Sequence, residues 1–116
     1  MNDITTYIEQ FEGVKRDWIL EFTTYMNKKY PDITGTIWFR MPTYRLGHSY
    51  VAFSIAKDYF AFHTNDVECF LMLTTSLSKA TFGKKSAKIK FTDDGAKPIL
   101  YNVIDYFLYK NKNIIE

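Results

Sequence analysis

Apolar positions in the first thirty residues recur at intervals of three and four, the period of a helix face. Ile4, Ile8 and Phe11 make one short face, with Thr6 and Glu9 at capping-box spacing and Asp3 as an earlier cap. Gly13 interrupts. Val14, Trp18, Phe22, Tyr25 and Met26 then predict a longer helix, with Lys28 and Lys29 suited to its C-terminus and Pro31 ending it. From Thr36 the period falls to two. Ile37, Phe39 and Met41 lie on one side of a predicted strand, and Thr36, Trp38 and Arg40 on the other. Pro42 has no N–H for a central ladder, so pairing is expected to end or bulge there. The segment after it reads as a proline-fixed bend carrying Tyr44, Arg45 and Tyr50 at or near the surface.

Val51, Phe53 and Ile55, then Phe60 and Phe62, predict two more strands joined at Lys57-Asp58, with Tyr59, Ala61 and His63 opposite the second apolar set. Asn65 with Glu68 three positions on predicts a capped short helix, with Val67, Phe70, Leu71 and Thr74 facing inward. Ala87, Ile89 and Phe91 alternate with Ser86, Lys88 and Lys90 in a half-exposed strand. Asp93-Asp94-Gly95 reads as a turn. Pro98 suits a first helical turn, and Ile99, Val103, Ile104, Phe107 and Leu108 give that helix its buried stripe, with fraying from Lys110. The order is α-α-β-β-β-α-β-α. Tight turns between strands imply an antiparallel sheet, and the N- and C-terminal helices can share one of its faces. The expected class is therefore an α+β two-layer sandwich.

Length and composition narrow this further. With 116 residues the chain suits a single domain, 1–116, and 47% hydrophobic with 24% charged residues is a globular balance. Aromatic content of 18% lets a small core be filled by few side chains. The lone cysteine, Cys69, excludes an internal disulfide and reads as a buried thiol. No apolar run approaches the ~18 residues of a membrane span, and the first residues do not resemble a secretory leader. The expected compartment is the cytoplasm. A net charge of +2 is too small to argue for nucleic acid, and no predicted helix carries a basic stripe, so nucleic acid is not the expected partner, although the aromatics have the chemistry to stack bases.

Four segments, taken in order, carry a family resemblance. They are the YIEQF start with its break and long helix; Met41-Pro42-Thr43-Tyr44-Arg45; the hairpin from Val51 to His63 with Lys57 at its turn; and the stretch Gly83 to Phe91, GKKSAKIKF. With these the chain resembles the YdhG-like proteins, small bacterial domains mostly of unknown function, some called frataxin-like or intracellular iron chaperones. Arg40 stands where the family often has glycine. The resemblance implies the same α+β sandwich. It also raises iron as a ligand, for which helix carboxylates at three- or four-residue spacing, Glu9 with Glu12 and Asp17 with Glu21, are the candidates. That frataxin-like reading is the alternative, because Lys15 and Arg16 dilute the acidic field.

Catalytic signatures do not appear. There is no GxSxG, phosphate-binding loop, GxGxxG or His/Cys cluster of metal-ligand spacing. The expected function is a non-enzymatic binding or chaperone-like module without a resident cofactor. Its site is expected at the Met-Pro bend: Trp38, Met41, Pro42, Tyr44, Arg45, Tyr50 and His63. The aromatics would give apolar contact, Arg45 would meet an anion or carboxylate, and His63 would be a polar handle. Lys84, Lys85, Lys88 and Lys90 form a second, anion-binding candidate, against a solvated edge guarded by lysines. The expected partner is a small molecule or a protein, and an uncovered aromatic sheet face would also suit a homodimer.

Overall fold

A computed structural model describes residues 3–112. Helices α1 (Asp3–Glu9) and α2 (Gly13–Lys29) lead into strands β1 (Gly35–Trp38), β2 (Met41–Leu46), β3 (Ser49–Ile55) and β4 (Tyr59–Thr64). Helix α3 (Val67–Ser76), strands β5 (Thr81–Phe82) and β6 (Ser86–Lys90) and helix α4 (Ala96–Asn111) complete it. The six strands form one sheet in the order β1-β2-β3-β4-β6-β5, and every neighbouring pair is antiparallel.

One face of the sheet meets the helices. Pro42, Tyr44 and Leu46 of β2 turn inward there, as do Val51 and Phe53 of β3, Phe60 and Phe62 of β4, and Ala87 and Ile89 of β6. Trp18, Ile19, Phe22 and Met26 of α2 and Leu100, Val103, Ile104 and Phe107 of α4 cover them. Aromatic rings run through this layer: Phe22 lies 5.0 Å from Phe60, and Trp18 lies 5.2 Å from Phe60. Each fully buried side chain of this size contributes about 1.5–3 kcal/mol relative to exposure. The expected α+β arrangement, with terminal helices together on one face, is what the chain adopts. Tyr101 of α4 donates to Glu21 of α2, and Tyr25 of α2 donates to Asp105 of α4 at 2.7 Å.

Two strands were not foreseen. The segment read as a bend is β2 itself, and Pro42 lies inside it opposite Ile37. In a two-residue hairpin the pair flanking the turn, here Trp38 and Met41, is hydrogen-bonded, so the next pair is not. The nitrogen of Pro42 therefore faces away from β1, toward β3, where the ladder has already ended at Thr43 opposite Ala52. Proline fits because no donor is required there. β5, two residues opposite Ala87 and Lys88, is too short to show a period.

Phe39 and Arg40 are not strand residues. They are the turn of the β1–β2 hairpin, and both have left-handed backbones, with φ of 50° and 64°. Asn and Gly are the residues that relieve this geometry. Arg40 occupies the position at which the family resemblance led us to expect glycine, and its φ is the physical reason for that expectation.

Smaller corrections follow from packing. Helix α1 starts at Asp3, so Thr6 is internal and caps nothing. Asp66, not Asn65, caps α3 by accepting from the Cys69 amide at 3.0 Å. Val67 and Leu71 are 81% and 61% exposed, while Cys69 and Leu73 face inward in their place. Val14 is exposed, and Ile19 takes its place in the core. Lys110 is helical and bonded to Asp66 and Glu68 rather than frayed; the remainder of the tail, residues 113–116, lies outside the described residues.

Candidate functional site

Among the described residues no helix covers the second face of the sheet. Strand alternation turns Trp38 of β1, Met41, Thr43 and Arg45 of β2, Tyr50, Ala52 and Ser54 of β3, Tyr59, Ala61 and His63 of β4, and Lys88 and Lys90 of β6 toward it. Five of the seven side chains expected at the Met-Pro site, Trp38, Met41, Arg45, Tyr50 and His63, share this face. The other two do not. Pro42 and Tyr44 point into the core, and Tyr44 is fully buried against Phe53 at 5.8 Å. The error has one cause: a continuous strand sends alternate residues to opposite sides, whereas an irregular bend would have let all of them reach the surface.

Trp38 organises the corner. Its ring meets Tyr50 edge-on at 5.4 Å, and the Arg45 guanidinium lies over it at 5.0 Å. Phe39 sits 4.4 Å from the same ring and is 75% exposed. Thr43, two strands in, is wholly hidden although no helix roofs it, and its hydroxyl donates to the Met41 carbonyl at 3.0 Å. The backbone of Tyr50 is fixed from β4: its amide donates to Asn65 Oδ1 at 2.9 Å and its carbonyl accepts from Thr64 Oγ1 at 2.8 Å. Asn65 Nδ2 also donates to the His48 carbonyl at 2.7 Å. Asn65, first read as a helix cap, thus pins the turn beside the site.

The middle of the face is floored by small side chains. Thr43, Ala52, His63 and Ser86 lie in one cross-strand row, and Ser54, Ala61 and Lys88 in the next. Ser54 Oγ and His63 Nε2 are 2.9 Å apart. Burial pushes the His63 pKa below that of an ordinary histidine, so its ring is neutral at neutral pH. The pair has the reach of a nucleophile and a base, yet no carboxylate stands on β3, β4 or β6 to orient the imidazole.

The lysine cluster divides. Lys88 and Lys90 lie on the helix-free face, with the Lys88 ammonium 5.2 Å from the Tyr59 ring. Lys84 and Lys85 sit in the β5–β6 turn and border a hollow of about 150 Å³ at the start of α3. The carboxylates proposed for metal do not converge. Glu9 ends α1 and Glu12 precedes α2, so their three-residue spacing is not that of one helix. Asp17 and Glu21 share α2, but Glu21 is engaged by Lys97 at 3.1 Å and by the Tyr101 hydroxyl. Among the described residues no three His, Cys, Asp or Glu side chains gather as a metal site. Cys69 is a buried thiol whose pKa burial pushes up to about 12, which makes it inert.

Two further hollows open at the far end of the helix layer. One of about 450 Å³ lies between Asp3, Asn27 and Thr36, and one of about 290 Å³ lies between Tyr30, Ile33, Leu108 and Lys112. Neither is lined by Met41 or Pro42. Among the described residues no helix is long and apolar enough to cross a membrane.

What sequence reading missed is the charge separation. None of the six strands contains an aspartate or glutamate, while Arg45, Lys88 and Lys90 all lie on the helix-free face. The signal was legible once strand boundaries were right, because it needs only the list of strand residues.

No family model matches the chain, and no curated protein matches it. Among solved structures it is similar to the crystal structure of YdhG from Bacillus subtilis, a protein of the DUF1801 family. The TM-score is 0.77 at 14% identity, over 92% of this chain and 89% of that one. A likeness at that identity is one of architecture, and the protein accordingly has a YdhG-like α+β fold, an open antiparallel sheet with its helices on one side.

Proposed function

We propose that the protein is a non-enzymatic binding domain of the cytoplasm whose helix-free sheet face receives an anionic ligand or partner. The contact corner is Trp38, Arg45, Tyr50 and His63. The observation that carries this reading is the complete lack of acidic residues in the strands, set against three cations on that one face. Of the chain's 15 basic and 13 acidic residues, the strands hold three basic and no acidic ones, so the helix-free face is positive even though the whole chain is nearly neutral. Arg45 offers a planar donor fork for carboxylate or phosphate, held over Trp38. Trp38 and Tyr50 add rigid apolar area of the kind that dominates contact energy. Neutral His63 with Ser54 supplies a polar handle at the floor.

The iron-binding alternative has less support. Its carboxylates are split between two helices or already occupied by Lys97 and Tyr101. The test is a backbone amide NMR titration with two simple polyanions, heparin and polyglutamate, at low salt. Salt-sensitive shifts confined to β1–β4 and β6 are expected. Shifts confined to the helix layer, or none with either polyanion, would end the reading.

A further inference from the structure

Resting on the reading just given, we propose that the anionic partner is a single-stranded nucleic acid, laid diagonally across the helix-free face. Aromatic side chains stand toward two opposite edges of that face. Phe39 and Tyr50 flank Trp38 on one side, and Tyr59 lies beside Lys88 on the other. Between them the floor is made of small side chains, Ala52, Ser54, Ala61 and Ser86, and Ala52 and Ala61 are buried beneath their larger neighbours, so a strand would ride on the flanking rings and cations rather than on the floor. Cations accompany each aromatic group, Arg45 over Trp38 at the first, Lys88 beside Tyr59 and Lys90 opposite it at the second. Stacking platforms interleaved with backbone-neutralising cations are how unpaired strands are held without sequence preference.

The dimensions fit. Arg45 on β2 and Lys88 on β6 are three strand spacings apart, about 14 Å, and about four residues apart along the strands, so the diagonal is about 20 Å. That suits a short site of about four nucleotides. A duplex would find neither a helix nor a protruding ribbon to enter its groove, and its bases would be unavailable for stacking.

The β1–β2 turn points the same way. Phe39 is 75% exposed and Arg40 is exposed, both in left-handed backbones where Asn and Gly would be relaxed. A strained turn that holds out an aromatic ring and a guanidinium is a poor choice for stability and a good one for contact. Nucleic acid was not the expected partner above because no helix carries a basic stripe. The cations are on strands, so that criterion looked in the wrong place.

The experiment is fluorescence anisotropy with short labelled oligo-dT and oligo-U against the full chain, with heparin, polyglutamate and a duplex alongside. Single strands are expected to bind at low salt and to weaken as salt rises. Phe39→Ala and Tyr59→Ala should each cut affinity about fivefold or more, the loss of one stacked base. Lys88→Ala should flatten the salt dependence. These side chains lie outside the core, and amide spectra of each variant check that the sheet is intact. Binding indifferent to both aromatic substitutions, or a duplex bound as tightly as single strands, overturns the proposal. If heparin or polyglutamate binds this face and single strands do not, the nucleic-acid assignment falls and the anionic-partner reading stands. If none of them binds, both fall.

Discussion

Gly35 lies directly against the ring of Tyr44. A Cβ placed on it would come within 2.5 Å of Tyr44 Cε2 and 2.6 Å of Ile4 Cδ1. Tyr44 is fully buried and Ile4 nearly so, and neither is free to swing into solvent. Gly35→Ala should therefore destabilise the fold by about 1–3 kcal/mol through overpacking. Urea unfolding followed by fluorescence measures this; an unchanged midpoint would mean that α1 moves aside without penalty.

The Tyr44 hydroxyl is buried without a hydrogen-bond partner among the described residues. Burial raises its pKa, so it stays neutral. Removing an unpartnered buried polar group relieves desolvation, so Tyr44→Phe should leave stability unchanged or raise it by up to about 1 kcal/mol. A loss larger than that in chemical denaturation would reveal a partner for the hydroxyl, such as an ordered water.

Acid should weaken the seam between α3 and α4. Burial pushes the Asp66 carboxyl up, but the Cys69 amide and the Lys110 ammonium, 3.1 Å away, hold its pKa below the ordinary aspartate value. A carboxyl lowered in the folded state gives stability that is complete above the unfolded value, about 3.9, and is lost as pH falls through the folded one. Asp66→Ala should lose about 1–2 kcal/mol at neutral pH with its cap and should lessen the loss below pH ~4. Thermal unfolding from pH 7 to 2.5 compares the two chains; parallel curves would refute the assignment.

His63 predicts a second, milder pH effect. Its folded pKa lies below the unfolded value of about 6.5, because burial disfavours the imidazolium. Its contribution is complete above pH ~6.5 and declines as pH falls toward the folded pKa, where the buried ring must take up a proton. An NMR titration of the His63 ring should show a midpoint under 6.5, and His63→Gln should remove the corresponding slope in stability. A midpoint at or above 6.5 contradicts it.

Relaxing the β1–β2 turn should trade contact for stability. Replacing Phe39 and Arg40 by Asn and Gly suits both left-handed φ values and should stabilise by about 1–3 kcal/mol. The same variant should bind polyanions less well, since the ring beside Trp38 and one cation are gone. A less stable variant would show that the Phe39–Trp38 contact outweighs the backbone strain.

How much was legible in the residues depended on periodicity. Where period and burial agreed, as in β3, β4, β6 and the inner stripe of α4, alternation was enough to place side chains. It failed where chemistry broke the period. At Phe39-Arg40 a tight turn without glycine or asparagine hid a hairpin, and Pro42 then disguised β2 as a bend. Gly47, with φ of 64°, opens the two-residue turn between β2 and β3 and was a readable hairpin signal. The residues expected at the Met-Pro site divided between the two faces for the same reason. A strand alternates its faces, so Tyr44 and Pro42 went inward while Trp38, Met41, Arg45, Tyr50 and His63 lie on the helix-free face. On α3, Asp66 displaced Asn65 as cap and rotated the inward face by one residue.

The network around Asp105 has a consequence for biosynthesis. Its carboxylate accepts from the hydroxyls of Tyr25 and Tyr30 at 2.7 and 2.6 Å and pairs with Lys29 at 3.1 Å, so α2 is locked by a residue more than seventy positions later. Until α4 has left the ribosome, Phe22, Phe53 and Phe60 have only half a cover. A nascent chain paused just before Ala96 would leave the α4 half of this aromatic layer open to every other nascent chain nearby. Closure of the emerging core thus waits on translation of residues 96 to 111, so slower synonymous codons there should lengthen the exposure of this aromatic surface while leaving the finished molecule unchanged.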